Sequence, residues 1–98
     1  MSKTKDRAAE VGPRLRSVRT ALSLSQTEVA EQLGVTEPAM ANWEAGRRKV
    51  ELGTLWALCS VYSKWSDCGE ETLFAYVTGI RSDLRIRRSS PIMNRMAR

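Results

Sequence analysis

Apolar residues recur along this chain at spacings of three and four. Small residues and caps interrupt them, and nowhere do they alternate with polar residues over the length of a strand. Leu15, Val18 and Leu22 form one apolar face after Gly12-Pro13, where a proline fits a first helical turn, so a helix is predicted over about 12–22. Residues 1–10 are polar and charged and read as a flexible arm. Ser25 followed by Glu28 is a capping box, Val29, Ala30 and Leu33 face inward, and Gly34 closes a helix over 26–33. Thr36 caps the next helix, over about 37–45, with Pro38 in its first turn, Met40 and Trp43 inward and Gly46 as its stop. Leu52, Leu55, Leu58, Cys59 and Tyr62 predict a fourth helix over 52–64. Asp67 with Glu70 reads as a second capping box. Leu73, Val77, Ile80 and Leu84 then give a narrow stripe on a helix over about 69–86. Ser89-Ser90-Pro91 breaks that helix, and 89–98 reads as a flexible basic tail. The expected fold is all-α with five helices: an α-helical domain over 11–65 and an extended C-terminal helix within 66–88.

Composition narrows the function. A chain of 98 residues holds one modest core. It has no histidine, which excludes imidazole catalysis and histidine metal sites, and its two cysteines cannot build a disulfide framework or a four-cysteine zinc site. No credible carboxylate pair is present, so no catalytic residue, cofactor or metal is expected and the chain is not read as an enzyme. There is no run of eighteen apolar residues, and the start Met-Ser-Lys-Thr-Lys-Asp lacks the apolar stretch of a secretory signal. The expectation is a cytoplasmic protein with free thiols and no membrane partner. Cys59 falls on the apolar face of the fourth helix and reads as core, while Cys68 falls in a loop.

Charge changes the picture further. The net charge is +5, and a pI near 9.8 points to a polyanionic partner. Residues 1–19 carry net +4, the triplet Arg47-Arg48-Lys49 +3, and 79–98 +5, separated by segments of net −4 and −3. Such islands suit an element flanked by contacts to a phosphate backbone.

The central unit runs Gln26-Thr27-Glu28-Val29-Ala30-Glu31-Gln32-Leu33-Gly34-Val35-Thr36-Glu37-Pro38-Ala39-Met40-Ala41-Asn42-Trp43-Glu44-Ala45. Val29, Leu33, Val35, Met40 and Trp43 are spaced to seal two short helices. Ala30 suits a steep crossing and Gly34 a turn of positive φ. This unit resembles the helix-turn-helix of the phage-repressor-like (XRE/Cro/C1-type) regulators. The flanks Leu15-Arg16-Ser17-Val18-Arg19, Trp43-Glu44-Ala45-Gly46-Arg47-Arg48 and Leu55-Trp56-Ala57-Leu58 extend the resemblance over about 13–64. Two departures stand out: Val50 where a proline often follows the basic run, and Pro38 where a polar base reader is usual. Pro38 can touch a thymine methyl but donates no hydrogen bond.

The resemblance implies that the helix from Thr36 lies in the major groove of double-stranded DNA, with Thr36, Glu37, Pro38, Ala41 and Asn42 toward the bases. Asn42 can pair bidentately with adenine, and Glu37 can accept from a cytosine amine. Gln26 is expected at a phosphate, with Arg47, Arg48 and Lys49 as clamps. Trp43, Trp56 and Trp65 read as packing residues rather than base-stacking platforms. The expected function is a bacterial or phage repressor that binds an inverted-repeat operator as a homodimer, with Leu73, Val77, Ile80 and Leu84 as the dimer seam. Two rivals remain: an antitoxin whose C-terminal segment binds a protein such as a toxin or antirepressor, and an interaction or membrane-surface module using Arg81, Arg85 and Arg88 at helical spacing.

Overall fold

The computed structural model describes residues 3–89, with side chains from residue 10 onward. Its order is α1 (Lys3–Ala21), α2 (Gln26–Leu33), α3 (Glu37–Glu44), α4 (Leu52–Lys64) and α5 (Glu70–Val77). The expected tail falls almost wholly outside the described residues, only Ser89 being described. Each short helix in the middle forms for the reason its caps suggest. Ser25 Oγ accepts from the Glu28 amide at 3.0 Å while Glu28 Oε1 accepts from the Ser25 amide at 2.8 Å, completing the capping box. The Ser25 amide, donating to the carboxylate, holds the Glu28 carboxyl below the usual carboxylate range. Gly34 ends α2 at φ 75°, a left-handed conformation that a side chain would strain. Thr36 Oγ1 accepts from the Ala39 amide at 3.2 Å and starts α3, with Pro38 in the first turn.

The inward residues merge into one core. Leu15, Val18 and Leu22 of α1 meet Val29, Ala30 and Met40 of the α2–α3 unit, and Leu55, Leu58, Cys59, Val61 and Tyr62 of α4 close it with Leu73 and Val77 of α5. Helix α1 packs on α3 and α5, α2 on α3 and α4, and α4 on α5. Helices α2 and α3 are thereby braced from behind, which leaves their other faces outward. Among the described residues no helix is long and apolar enough to cross a membrane.

Three expectations need correction. The chain expected as an arm is helical from Lys3, since Arg7-Ala8-Ala9-Glu10 are strong helix formers and nothing before Gly12 stops them. Pro13 therefore lies inside α1, where its missing N–H interrupts the ladder. Gly12 does a different task from starting the helix. It is buried where α1 crosses the end of α3, and a Cβ there would collide with the Trp43 carbonyl oxygen and lie 2.7 Å from that of Glu44.

The second correction concerns the capping box at Asp67 and Glu70. The N-cap of α5 is Gly69, with no side-chain cap bond. Glu70 accepts from the Ser60 hydroxyl on α4 instead, and Asp67 Oδ1 accepts from the Arg87 amide at 2.9 Å.

The third concerns the helix expected over 69–86, which ends at Val77. The chain turns through Thr78 and Gly79, the latter at φ 87°, and the Arg81 amide bonds back to the Ala75 carbonyl. Beyond that turn Leu84 and Ile86 pack against the core two residues apart, an extended-chain period rather than a helical one. Ser66 and Arg88 form an antiparallel bridge, with the Asp67 amide donating to Arg87 O at 3.0 Å and the Ser89 amide to Trp65 O at 2.8 Å. The seam expected from Leu73, Val77, Ile80 and Leu84 is thus divided. Leu73 and Val77 are buried in their own subunit, Ile80 is 79% exposed past the helix, and Leu84 is half-buried on the returning strap. Arg81, Arg85 and Arg88 share no helix face, because no helix runs through them.

Candidate nucleic-acid interface

The face that the core leaves open is built around one buried ion pair. Glu44 is 5% exposed at the end of α3. Arg19 from α1 meets it in a bidentate fork, Nε to Oε2 at 2.7 Å and the second guanidinium nitrogen to Oε1 at 2.9 Å. A third donor of the same guanidinium reaches the Leu24 carbonyl at 2.8 Å. The hydrogen bonds that Arg19 donates to Glu44 raise the Arg19 pKa above its ordinary value, so the cation is permanent. Gln26 Nε2 donates to Glu44 Oε1 at 3.0 Å. One carboxylate therefore ties the end of α1, the start of α2 and the end of α3 together. Below it the Tyr62 hydroxyl is buried without a hydrogen-bond partner among the described residues, and burial pushes its pKa up.

A cleft opens over this pair, lined by Arg16, Arg19, Gln26, Glu37, Ala41, Glu44 and Ala45. It brings together one phosphate candidate, Gln26, and two base candidates, Glu37 and Ala41. Thr36, Glu37 and Pro38 are exposed at the α3 N-terminus, and Ala41 and Asn42 are half-buried one turn on. The five base-facing candidates thus lie along the outward side of α3, while Met40 and Trp43 pack inward as their spacing suggests.

Two candidates carry partners that the sequence did not show. Asn42 Oδ1 accepts from Arg47 Nε at 3.0 Å, and the Asn42 carbonyl accepts the amides of Arg47 and Arg48. Arg47 thus steadies the amide expected to read a base, and is itself exposed just past the end of α3. Arg48 and Lys49 follow, exposed, in the loop to α4. Gln26 is likewise held by Glu44, with its second amide hydrogen left to donate outward.

An eight-residue helix, a left-handed glycine turn and a second eight-residue helix, braced from behind by the core, is the arrangement the spacing of Val29, Leu33, Val35, Met40 and Trp43 implies. A family model described as a helix-turn-helix domain matches residues 10–63. The chain belongs to the helix-turn-helix domain family, within its phage-repressor-like branch. DNA binding in transcription regulation is the class of function that this membership brings. Over 79 residues the chain is 32% identical to the HTH-type transcriptional activator BcrR of Enterococcus faecalis. That alignment covers 78% of this chain and 39% of the relative, so this helix-turn-helix chain spans about two fifths of that protein's length.

Arg16 is a site residue that sequence reasoning passed over. It is exposed on α1, one turn before Arg19, and lines the cleft between α2 and α3. Its signal was present in the pattern: it lies next to Leu15, off the apolar face of Leu15, Val18 and Leu22. Glu44 gave a signal too, a charge beside the inward Trp43 that demanded a buried partner. No group of three or more Cys, Asp or Glu side chains able to hold a metal occurs among the described residues.

Proposed function

We propose that this chain is a sequence-specific DNA-binding transcription regulator that lays α3 in the major groove. Thr36, Glu37, Pro38, Ala41 and Asn42 face base edges. Gln26, Arg16, Arg47, Arg48 and Lys49 hold phosphates on either side. The observation that carries this reading is the ion pair of Arg19 and Glu44, which fixes the α2 N-terminus against α3 while leaving the outward side of both helices open. A helix N-terminus with free amides and a positive dipole end suits a phosphate, and the exposed start of α3 suits a base edge.

The chain acts as a dimer on an inverted repeat, because one helix reads too few base pairs to single out one site in a genome. With Leu73 and Val77 inside the subunit, the exposed apolar residues Leu52, Trp56 and Ile80 supply the contact. Occupancy at an operator that overlaps a promoter makes the chain a repressor acting in the cytoplasm. Activation is the second reading, favoured by the name of the E. faecalis relative, and the operator's position relative to polymerase decides between them.

Selection of binding sites from a random duplex pool tests the function. The chain should enrich one inverted repeat. Asn42→Ala should cost about 1–3 kcal/mol on that repeat and relax the choice at one base pair in each half, with non-specific binding nearly unchanged. Enrichment of nothing by the native chain would overturn the reading, and an equal loss on random DNA would remove Asn42 from the readout.

A further inference from the structure

The returning strap over residues 83–89 is basic on its outer side, and its position explains what that charge does. Leu84 and Ile86 pack inward, so Arg85 and Arg87 project outward between them and are exposed. Asp83 is the one carboxylate within the strap. The neighbouring Asp67 accepts the Arg87 amide, and among the described residues neither carboxylate forms an ion pair with Arg85 or Arg87. Arg88 is fixed differently, its guanidinium 5.8 Å from the centre of the Trp65 ring. Trp65 in turn donates its indole N–H to Gln32 of α2 at 3.1 Å. The strap therefore lies beside α2, joined to it through Trp65 and Gln32. Two bridge hydrogen bonds, a thiol bond from Cys68 to Arg85 O at 3.2 Å and the stacked tryptophan hold it there.

We infer that Arg85, Arg87 and Arg88 form a second clamp on the DNA backbone, beside α2 and outside the helix-turn-helix footprint, so that the protein grips phosphates flanking the operator half-site. The inference rests on the DNA-binding reading above. A charge held on a pre-formed strap loses less side-chain freedom on binding than one on a mobile tail, which favours its use as a contact. The contact is sequence-independent, lengthens the footprint and steepens the salt dependence of binding.

The test compares the native full chain with Arg85→Gln/Arg87→Gln/Arg88→Gln on two duplexes, one trimmed to the selected operator and one extended by flanking base pairs on both sides. On the extended duplex the log–log salt slope of the variant should be smaller by about two to three, near one per lost phosphate contact. On the trimmed duplex the two slopes should agree. The double variant Arg85→Gln/Arg87→Gln leaves the Trp65 stack intact and should lose about two, so a folding defect from losing Arg88 cannot imitate the result. Equal slopes for native and variant proteins on extended DNA overturn the second clamp while leaving the helix-turn-helix reading standing. A native chain with no salt-dependent DNA binding overturns both.

Discussion

At the scale of single residues, the buried Glu44 is the one most tightly tied to both fold and function. It accepts two bonds from Arg19 and one from Gln26, with its side chain 3% exposed. Removing the carboxylate leaves the part-buried Arg19 guanidinium with the Leu24 carbonyl as its one remaining acceptor, which costs about 1–3 kcal/mol. Glu44→Ala should therefore lower the denaturant midpoint by an amount of that size. DNA affinity measured well below the midpoint should also fall, because Gln26 and the α2 N-terminus lose their anchor. Glu44→Gln, which keeps one acceptor oxygen, should fall between. A variant that keeps native stability would show that Arg19 finds water instead and that the pair is not structural. The sequence displayed this residue as an oddity, a charge in an inward run, but its partner stands twenty-five positions away, and only the crossing of α1 and α3 brings the two together.

At the scale of elements, the helices legible in the sequence were those with a start and a stop in the same short window. The spans 26–33 and 52–64 agree with α2 and α4 end to end, and α3 ends one residue short of its expected limit. The errors fall where a local pattern admits two continuations. Leu73, Val77, Ile80 and Leu84 fit a helix by spacing. Leu84 and Ile86 fit an extended strap equally well, and the pairing with 65–67 decides the matter through contacts the local pattern does not contain. The strap gives Cys68 a chemistry of its own. Burial and the nearby Asp67 push its thiol up to about 11, and the thiol donates to Arg85 O. At neutral pH it is held as the unreactive thiol. Cys59, inside the core, is pushed up to about 12 by burial. Ile86→Asp should detach the strap, return Cys68 toward the ordinary thiol range and speed its alkylation severalfold, with Cys59 still unreactive. Alkylation of both thiols together would mean that the whole fold has opened, and an unchanged Cys68 rate would mean that the strap does not depend on Ile86.

At the scale of the whole molecule, the expected contact residues fall together on α2, α3 and the loop after them because those helices are self-contained, whereas the expected dimer seam is divided because it depended on how far α5 runs. Among the described residues the large apolar side chains left most exposed are Leu52, Trp56 and Ile80, at 70%, 42% and 79%. Trp56 lies against Phe74 with ring centres 5.5 Å apart, so it presents a rigid edge rather than a mobile side chain. Large exposed apolar residues are anchors for a partner far more often than rim charges are, and the inverted-repeat operator of the proposed function would make that partner a second copy. Ile80→Glu separates this surface from the fold, since the side chain is almost fully exposed and stands past the end of α5. The variant should sediment nearer the monomer, keep its helical circular dichroism, and lose far more affinity for a full inverted repeat than for a half-site. Leu84→Glu, by contrast, should loosen the strap and leave the association constant nearly unchanged, because Leu84 packs on its own subunit. If Leu84→Glu dissociates the dimer and Ile80→Glu does not, the strap itself is the interface, and the second clamp and the dimer contact would then have to share one short segment of seven residues, 83–89.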